Sequence, residues 1–254
     1  MRVGKVYLVG AGPGHPDLLT LRAAALIEAA DVLVFDRLVQ QEVLARARPG
    51  AELISVGKVV GGPHTQQSDI HDVLLAKARE GKMVVRLKGG DPFMFGRGGE
   101  EAEFLVEHGV PFEVVPGVSS TVAAPLRALI PVTHRMTASS VAFVTGHECR
   151  EDETHIDWSA IARMPTVVFV MAAHSLPCLV GRLIEHGRAG STPAAVIHAA
   201  YWDDERVVTG TLDTIADIVA SAGVGAPATL VVGDVVRLRE TLLAGEHRDG
   251  VAAR

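Results

Sequence analysis

Short runs of β-branched and aliphatic residues punctuate the chain, and a glycine or polar turn followed by a helical pattern comes after almost every one. The first five are KVYLVG, DVLVF, ELISV, MVVRL and PFEVV, interleaved with DLLTLRAAALIEA, QEVLARA, QSDIHDVLLAKARE, GEEAEFLVEH and SSTVAAPLRAL. A helix between two strands is what a parallel crossover requires, so this alternation predicts a mostly parallel α/β sheet covered on both faces. After Pro131 the rhythm resumes with SVAFVT, PTVVFVM, PAAVIHA, RVVTGT and TLVVGDVV, separated by stretches such as LPCLVGRLIEH and LDTIADIVASA. Ten strand-like runs are many for one small sheet. Two successive α/β domains meeting near Gly117 to Thr133 are the more economical reading, with a single large sheet as the alternative. The expected boundaries are 1–117 and 118–240, and GEHRDGVAAR within 241–254 reads as a frayed tail.

The polar residues fall in a pattern of their own. GAGPG follows the first run, Asp36-Arg37 the second, Gly57-Lys58 the third, Lys88-Gly89-Gly90-Asp91 the fourth, Pro116-Gly117 the fifth and Thr145-Gly146-His147 the sixth. Ligands of open α/β sheets bind beyond the carboxyl ends of strands, so these segments are expected to line one cleft.

Taken alone, Gly10, Gly12 and Gly14 invite a dinucleotide-binding reading, with Asp36 imitating the acidic ribose partner. The spacing argues against it, because His15 stands where the third glycine of that fingerprint belongs and Pro16 follows. A tight strand-to-helix turn without a ligand is the other local reading. In RLKGGDPFMFGRGGEE, Gly89 and Gly90 allow close backbone approach to a ligand, and Asp91 can accept hydrogen bonds from ribose hydroxyls or an ammonium group. Glu100 and Glu101 are expected in the first turn of the next helix, favoured there by the macrodipole. Arg97 has no comparable local explanation and reads as a clamp for a carboxylate.

Composition removes several function classes. The net charge of −6 and the lack of a basic stripe argue against nucleic acid and anionic membrane as partners. No apolar stretch approaches a bilayer span; TVVFVMAA suits a buried strand. The N-terminus shows no leader pattern, and a cytoplasmic protein is expected. Cys149 and Cys178 are far apart and lack a ligand pattern, so two ordinary thiols are expected. The eleven histidines form no paired motif, and no metal is expected.

The ordered set VGAGPGHPDLLTLRA, VFDRLV, VGK, VVRLKGGDPFMFGRGGEEAEFL, VPGVSS, IPVTHR, FVTGH and RVVTGTL resembles the uroporphyrinogen-III C-methyltransferases, within the tetrapyrrole methylases. The likeness runs from Lys5 to about Val236, and the block around Gly89 to Glu101 is its most specific part. The resemblance implies a two-domain class III methyltransferase fold, S-adenosyl-L-methionine held in a cleft between the domains, and a homodimer. It implies cofactor contacts at Pro13, Gly89, Gly90, Asp91, Met94, Ser119, Ser120, Met171 and Ala200. It places a proton acceptor at Asp36 and a donor at Lys58, and macrocycle contacts at Arg97, Glu100, Arg135 and Met171. Arg97 also enters the catalytic set, as an electrostatic aid to loss of the bridge-carbon proton. An ordinary salt bridge is the local alternative for Asp36 and Lys58, and core packing for Met171.

The implied reaction adds two methyl groups, at C-2 and C-7 of uroporphyrinogen III, to give precorrin-2 for siroheme or cobalamin. A sulfonium methyl is already an activated electrophile and a reduced pyrrole carbon is electron-rich, so catalysis is mainly in-line positioning followed by proton removal. Nothing in the sequence resembles an added dehydrogenase and ferrochelatase module. The rivals are methylation of a later corrin intermediate, an RNA-methylating sibling, a nicotinamide oxidoreductase, and a binding module without turnover. The chain departs from the family at Phe35, usually Tyr, and at Leu129, usually Gly. It departs again where Gly-Thr and a later Gln give way to Ala200-Tyr201 and Glu205, which is expected to crowd the adenosyl contact.

Overall fold

A computed structural model of the chain describes residues 3–57, 67–150 and 155–246. The fold divides into two units that part between Ser119 and Ser120.

The first unit holds β1 (Lys5–Gly10), β2 (Val32–Phe35), β3 (Glu52–Ser55), β4 (Met83–Lys88) and β5 (Phe112–Val115). All pair in parallel, in the order β3-β2-β4-β1-β5. Each carries the expected apolar run. Alternate residues serve opposite faces, as the two-residue period of a strand requires. Val9, Leu33, Val85 and Leu87 pack with Ala23, Leu26 and Ile27 of α1 (Leu21–Ala29) and Val43 of α2 (Gln41–Leu44). Val6, Leu8, Val34 and Val84 pack with Ile70 and Leu74 of α3 (Gln67–Arg79) and Leu105 of α4 (Gly98–Glu107). The stretch DLLTLRAAALIEA is not one helix: Pro16–Leu18 forms a single 3-10 turn, and α1 starts only after Thr20, whose side chain accepts from the Ala23 N–H.

The second unit opens on α5 (Ser120–Arg127) and holds β6 (Val141–Thr145), α6 (Trp158–Ala162), β7 (Thr166–Val170), α7 (Leu176–Glu185), β8 (Pro193–His198) and β9 (Arg206–Thr211). It closes with α8 (Ile215–Ser221), β10 (Ala228–Val232) and α9 (Leu238–Glu246). Its sheet has the order β6-β7-β10-β8-β9 and is mixed. Only β6 and β7 pair in parallel; β10 is antiparallel to β7 and β8, and β9 is antiparallel to β8. The parallel rhythm of the sequence therefore does not extend here. The segment between His198 and Arg206 is too short for a parallel crossover, so β8 and β9 can pair only as a hairpin. One face of the sheet packs on Trp158, Leu179, Leu183, Ile215 and Val219, the other on Ala124, Ala128, Val235 and Val236.

The cysteines also differ from expectation. Cys149, in the 3-10 turn after β6, and Cys178, in the first turn of α7, are joined as a disulfide. The turn seats Cys149 against α7 in the apolar core, with the two Cα atoms 6.2 Å apart, within the span a disulfide bridges. Separation in sequence concealed this proximity. Among the described residues no helix is long and apolar enough to cross a membrane.

Candidate active site

The first sheet is parallel throughout, so the ends of β1, β2, β4 and β5 all emerge at one edge. In register, Gly10 lies beside Lys88, Val9 beside Val115, and Phe35 beside Leu87. The chain order reverses there, because β4 is inserted between β2 and β1. The segments that follow β1, β2, β4 and β5 are thus brought together, as expected of a ligand site at a switch point.

The glycines at this edge first of all let backbone approach backbone. Gly12 and Gly90 exchange two main-chain hydrogen bonds, of 3.2 and 2.7 Å. A Cβ on Gly10 would stand 2.5 Å from the Gly90 carbonyl oxygen, and one on Gly117 would meet the same oxygen and the Gly10 backbone. Gly89 differs. A Cβ there would touch only the Leu38 Cβ, at 3.4 Å, so the end of the central strand borders open space. Pro13 is half-buried within the opening turn.

Asp91 closes the loop after β4. One carboxylate oxygen accepts from the N–H groups of Phe93 (2.9 Å) and Met94 (3.2 Å), and the other accepts from Gly117 (3.1 Å). Met94 itself is exposed. Arg97 does have a local partner, contrary to expectation: its guanidinium donates twice to Glu100, at 2.9 and 2.6 Å. This exposed pair holds the Arg97 pKa up and the Glu100 pKa down, in each case chiefly through those hydrogen bonds.

Asp36, immediately after β2, accepts from Arg86 Nη2 at 2.6 Å and keeps about one third of its side chain exposed (32%). Lys58 lies outside the described residues. The sequence reading missed what stands behind Asp36. Arg86, Lys88 and Glu101 are 2%, 3% and 0% exposed, and one oxygen of Glu101 takes both cations, at 3.1 and 2.8 Å. Burial and the neighbouring Arg86 push the Lys88 pKa below its usual value, against the opposing pull of Glu101 and Asp36. The signal was present in RLK: cations two residues apart share one face of a buried strand and demand an anion on the helix that covers it.

In the second unit, β6, β7 and β8 run the same way and β10 runs between β7 and β8 in the opposite sense. Met171 follows β7, and the next amide, of Ala172, donates to the Ala228 carbonyl; Ala199 follows β8 and donates to Pro227. Met171 and Ala200 are thereby brought to the start of β10 from either side. Met171 is 51% exposed, which removes core packing as its explanation. Ala200 is buried. Ser119 and Ser120 are half-buried at the boundary of the units, and Arg135 is exposed in a turn closed by mutual His134 and Ala138 backbone bonds.

Backbone strain marks the same places. Phe95 (φ 54°), Arg97 (57°), Met171 (55°), Ala199 (47°) and Tyr201 (66°) all occupy the left-handed region, which side-chain-bearing residues adopt at a cost. Around Ala200 the turn is latched by Glu205, which accepts from the Tyr201 N–H at 2.8 Å and from Arg127 Nε at 2.9 Å. Arg127 also lies over the Tyr201 ring, 5.6 Å from its centroid. Among the described residues no His, Cys, Asp and Glu side chains gather as a metal site.

Residues 5–216 match the family model described as Tetrapyrrole (Corrin/Porphyrin) Methylases. The chain is 50% identical over 250 residues to the S-adenosyl-L-methionine-dependent uroporphyrinogen III methyltransferase of Methanosarcina barkeri, covering 98% of this chain and 97% of that one. It is 49% identical over 235 residues to the uroporphyrinogen-III C-methyltransferase of Bacillus subtilis, covering 92% and 91%. Among solved structures, the uroporphyrin-III C-methyl transferase of Thermus thermophilus complexed with S-adenyl homocysteine is similar with a TM-score of 0.79. Its sequence identity is 42%, and 92% of this chain and 94% of that chain are covered.

Proposed function

The chain belongs to the tetrapyrrole methylases, and from that premise we infer that it transfers two methyl groups from S-adenosyl-L-methionine to uroporphyrinogen III, at C-2 and C-7, giving precorrin-2. One observation carries this reading: half of all residues agree with a protein of that activity across nearly the entire length of both chains.

The residues fit the methyl donor. The open space over Gly89 admits a ligand against bare backbone, and the loop beside it is held rigid by Asp91. In this assignment Pro13, Gly89, Gly90, Asp91, Met94, Ser119, Ser120, Met171 and Ala200 are the contacts of the donor. When bound, S-adenosylmethionine supplies a methyl group already activated by a positive sulfur. The electron pair of a pyrrole carbon would form the new bond to that methyl, and the pair of the broken carbon–sulfur bond would remain on sulfur. The ring is left cationic and must release a proton from the adjacent bridge carbon.

Asp36 receives that proton; its carboxylate is exposed enough to be reached and is anchored by Arg86 at one oxygen. Lys58 is the donor in the same assignment. Arg97, Glu100, Arg135 and Met171 meet the macrocycle, and an arginine fork suits the macrocycle's carboxylates. For Arg97 this entails exchanging Glu100 for a substrate carboxylate, which an exposed pair worth at most about 1 kcal/mol permits. The same reading carries assembly as a homodimer in the cytoplasm, checked by light scattering and cell fractionation.

The test supplies anaerobically generated uroporphyrinogen III with S-adenosylmethionine and weighs the products. Two successive methyl additions are expected; a single final addition, or none, redirects the assignment to a later corrin intermediate. Asp36→Asn should lower turnover by about 10²-fold or more while S-adenosylhomocysteine affinity holds, and full turnover would remove Asp36 from the mechanism.

A further inference from the structure

Behind Asp36 and its partner Arg86 stand a buried lysine and a buried carboxylate that the reaction described above does not use. Arg86 and Lys88 alternate along β4 and face α4, whose first turn carries Glu101. Glu101 Oε1 accepts from Arg86 Nε (3.1 Å), Lys88 Nζ (2.8 Å) and Gln67 Nε2 (3.2 Å). The rest of the Arg86 fork is also engaged: Nη1 donates to the Leu87 carbonyl at 3.0 Å and Nη2 to Asp36 at 2.6 Å. The main chain of Asp36 is tied to the same strand, since its N–H donates to the Leu87 carbonyl at 3.3 Å. One planar guanidinium therefore spans a wholly buried carboxylate and a reachable one.

Stability alone is a poor account of this cluster. Buried ion pairs are often no better than apolar side chains of the same size. Here, moreover, three donors crowd one oxygen of Glu101, while its Oε2 has no hydrogen-bond partner among the described residues. Orientation accounts for it better. A proton acceptor acting on a carbon acid is sensitive to placement, and a two-ended fork with all its nitrogens occupied can move neither carboxylate without the other.

We propose that Glu101 is a positioning residue for methyl transfer, holding the Arg86 fork so that the fork fixes the Asp36 carboxylate toward the substrate. This rests on Asp36 as the proton acceptor, assigned above. Glu101 touches neither reactant, so its removal acts on the rate and leaves binding alone.

The test is a double-mutant cycle on kcat with Glu101→Gln, Asp36→Asn and the pair, alongside KM for uroporphyrinogen III and S-adenosylhomocysteine affinity. Glu101→Gln alone should lower kcat about tenfold with KM and affinity within about twofold. Added to Asp36→Asn, it should cost less than about twofold more, because the group it positions is gone. A full kcat for Glu101→Gln, or a loss that multiplies undiminished onto Asp36→Asn, overturns the proposal. If Glu101→Gln lacks the native circular dichroism, Arg86→Lys, which keeps the charge and loses the fork, enters the same cycle with the same expectations. If neither variant folds, the cluster is structural and the proposal falls. Failure of the underlying reading is seen separately, as wild-type protein that adds no methyl or Asp36→Asn that keeps its full rate.

Discussion

The two sheets have five strands each, yet they spend their polar residues differently. Among the described residues, every buried charged side chain belongs to the first unit: Arg86, Lys88 and Glu101. The second unit buries only neutral polar groups such as Thr166, Ser175 and Thr229. Strand direction underlies the contrast. A fully parallel sheet delivers its carboxyl ends to one edge, so charges placed late in its strands converge. In the mixed sheet, β9 and β10 begin where β6, β7 and β8 end, so carboxyl and amino ends of strands share that edge. What the second unit offers at that edge is shaped backbone, in the left-handed residues Met171, Ala199 and Tyr201. Buried charge distinguishes the first unit; the second shows backbone contour without it.

Substitutions can break or sharpen that contrast. Gly117→Val should have the largest effect, because its side chain would enter space held by the Gly90 carbonyl and the Gly10 backbone. We expect a loss of about 4 kcal/mol or more in urea unfolding, confined to the first unit in hydrogen exchange. Near-normal stability would mean that the crowded edge can relax. Phe169→Ala, in the apolar core of the second unit, should cost about 3–5 kcal/mol by the same measurement, with the same loss at neutral and alkaline pH. The finest distinction is a slope. Lys88 titrates at 10.5 when unfolded and lower when folded. As pH climbs from neutrality toward 10.5, the unfolded chain binds the extra proton, and the contribution of this group to stability rises. Wild type should gain on Lys88→Met over that interval in chemical denaturation. A flat difference would mean that the Lys88 charge is not strained by burial.

Much of this architecture could be read from residue order. The ten strands among the described residues coincide with the runs read from the sequence, the central ones because a buried strand needs little beyond an apolar run, while β3 and β9 are more exposed. The edge carrying Asp36, Gly89 and Asp91 followed from their places after strands. Direction in the second sheet was harder. PAAVIHA and RVVTGT have no helix between them, and that gap carried the hairpin signal that the βαβ rhythm obscured. Glu101 was hidden differently. A glutamate in the first turn of a helix already has a reason to be there, and only packing against β4 reveals that it is wholly buried. The local partner of Arg97 was missed in the opposite sense: Arg97 caps the start of α4, and Glu100 lies three residues on, in the first turn, within its reach. The cysteine pair could not be seen at all, since its proximity follows from how α7 packs back on the turn after β6.

The latch at Glu205 bears on how this chain can be altered. Glu205 accepts from the Tyr201 main chain and from Arg127, and Arg127 lies over the Tyr201 ring, so the three residues form one coupled set. Replacing Glu205 alone would leave Arg127 without its carboxylate, whereas replacing Tyr201 would remove only the ring beneath Arg127, because the bond to Glu205 comes from the main chain. Glu205 is thus the keystone of this turn, and any redesign of the loop has to begin by replacing what its carboxylate holds.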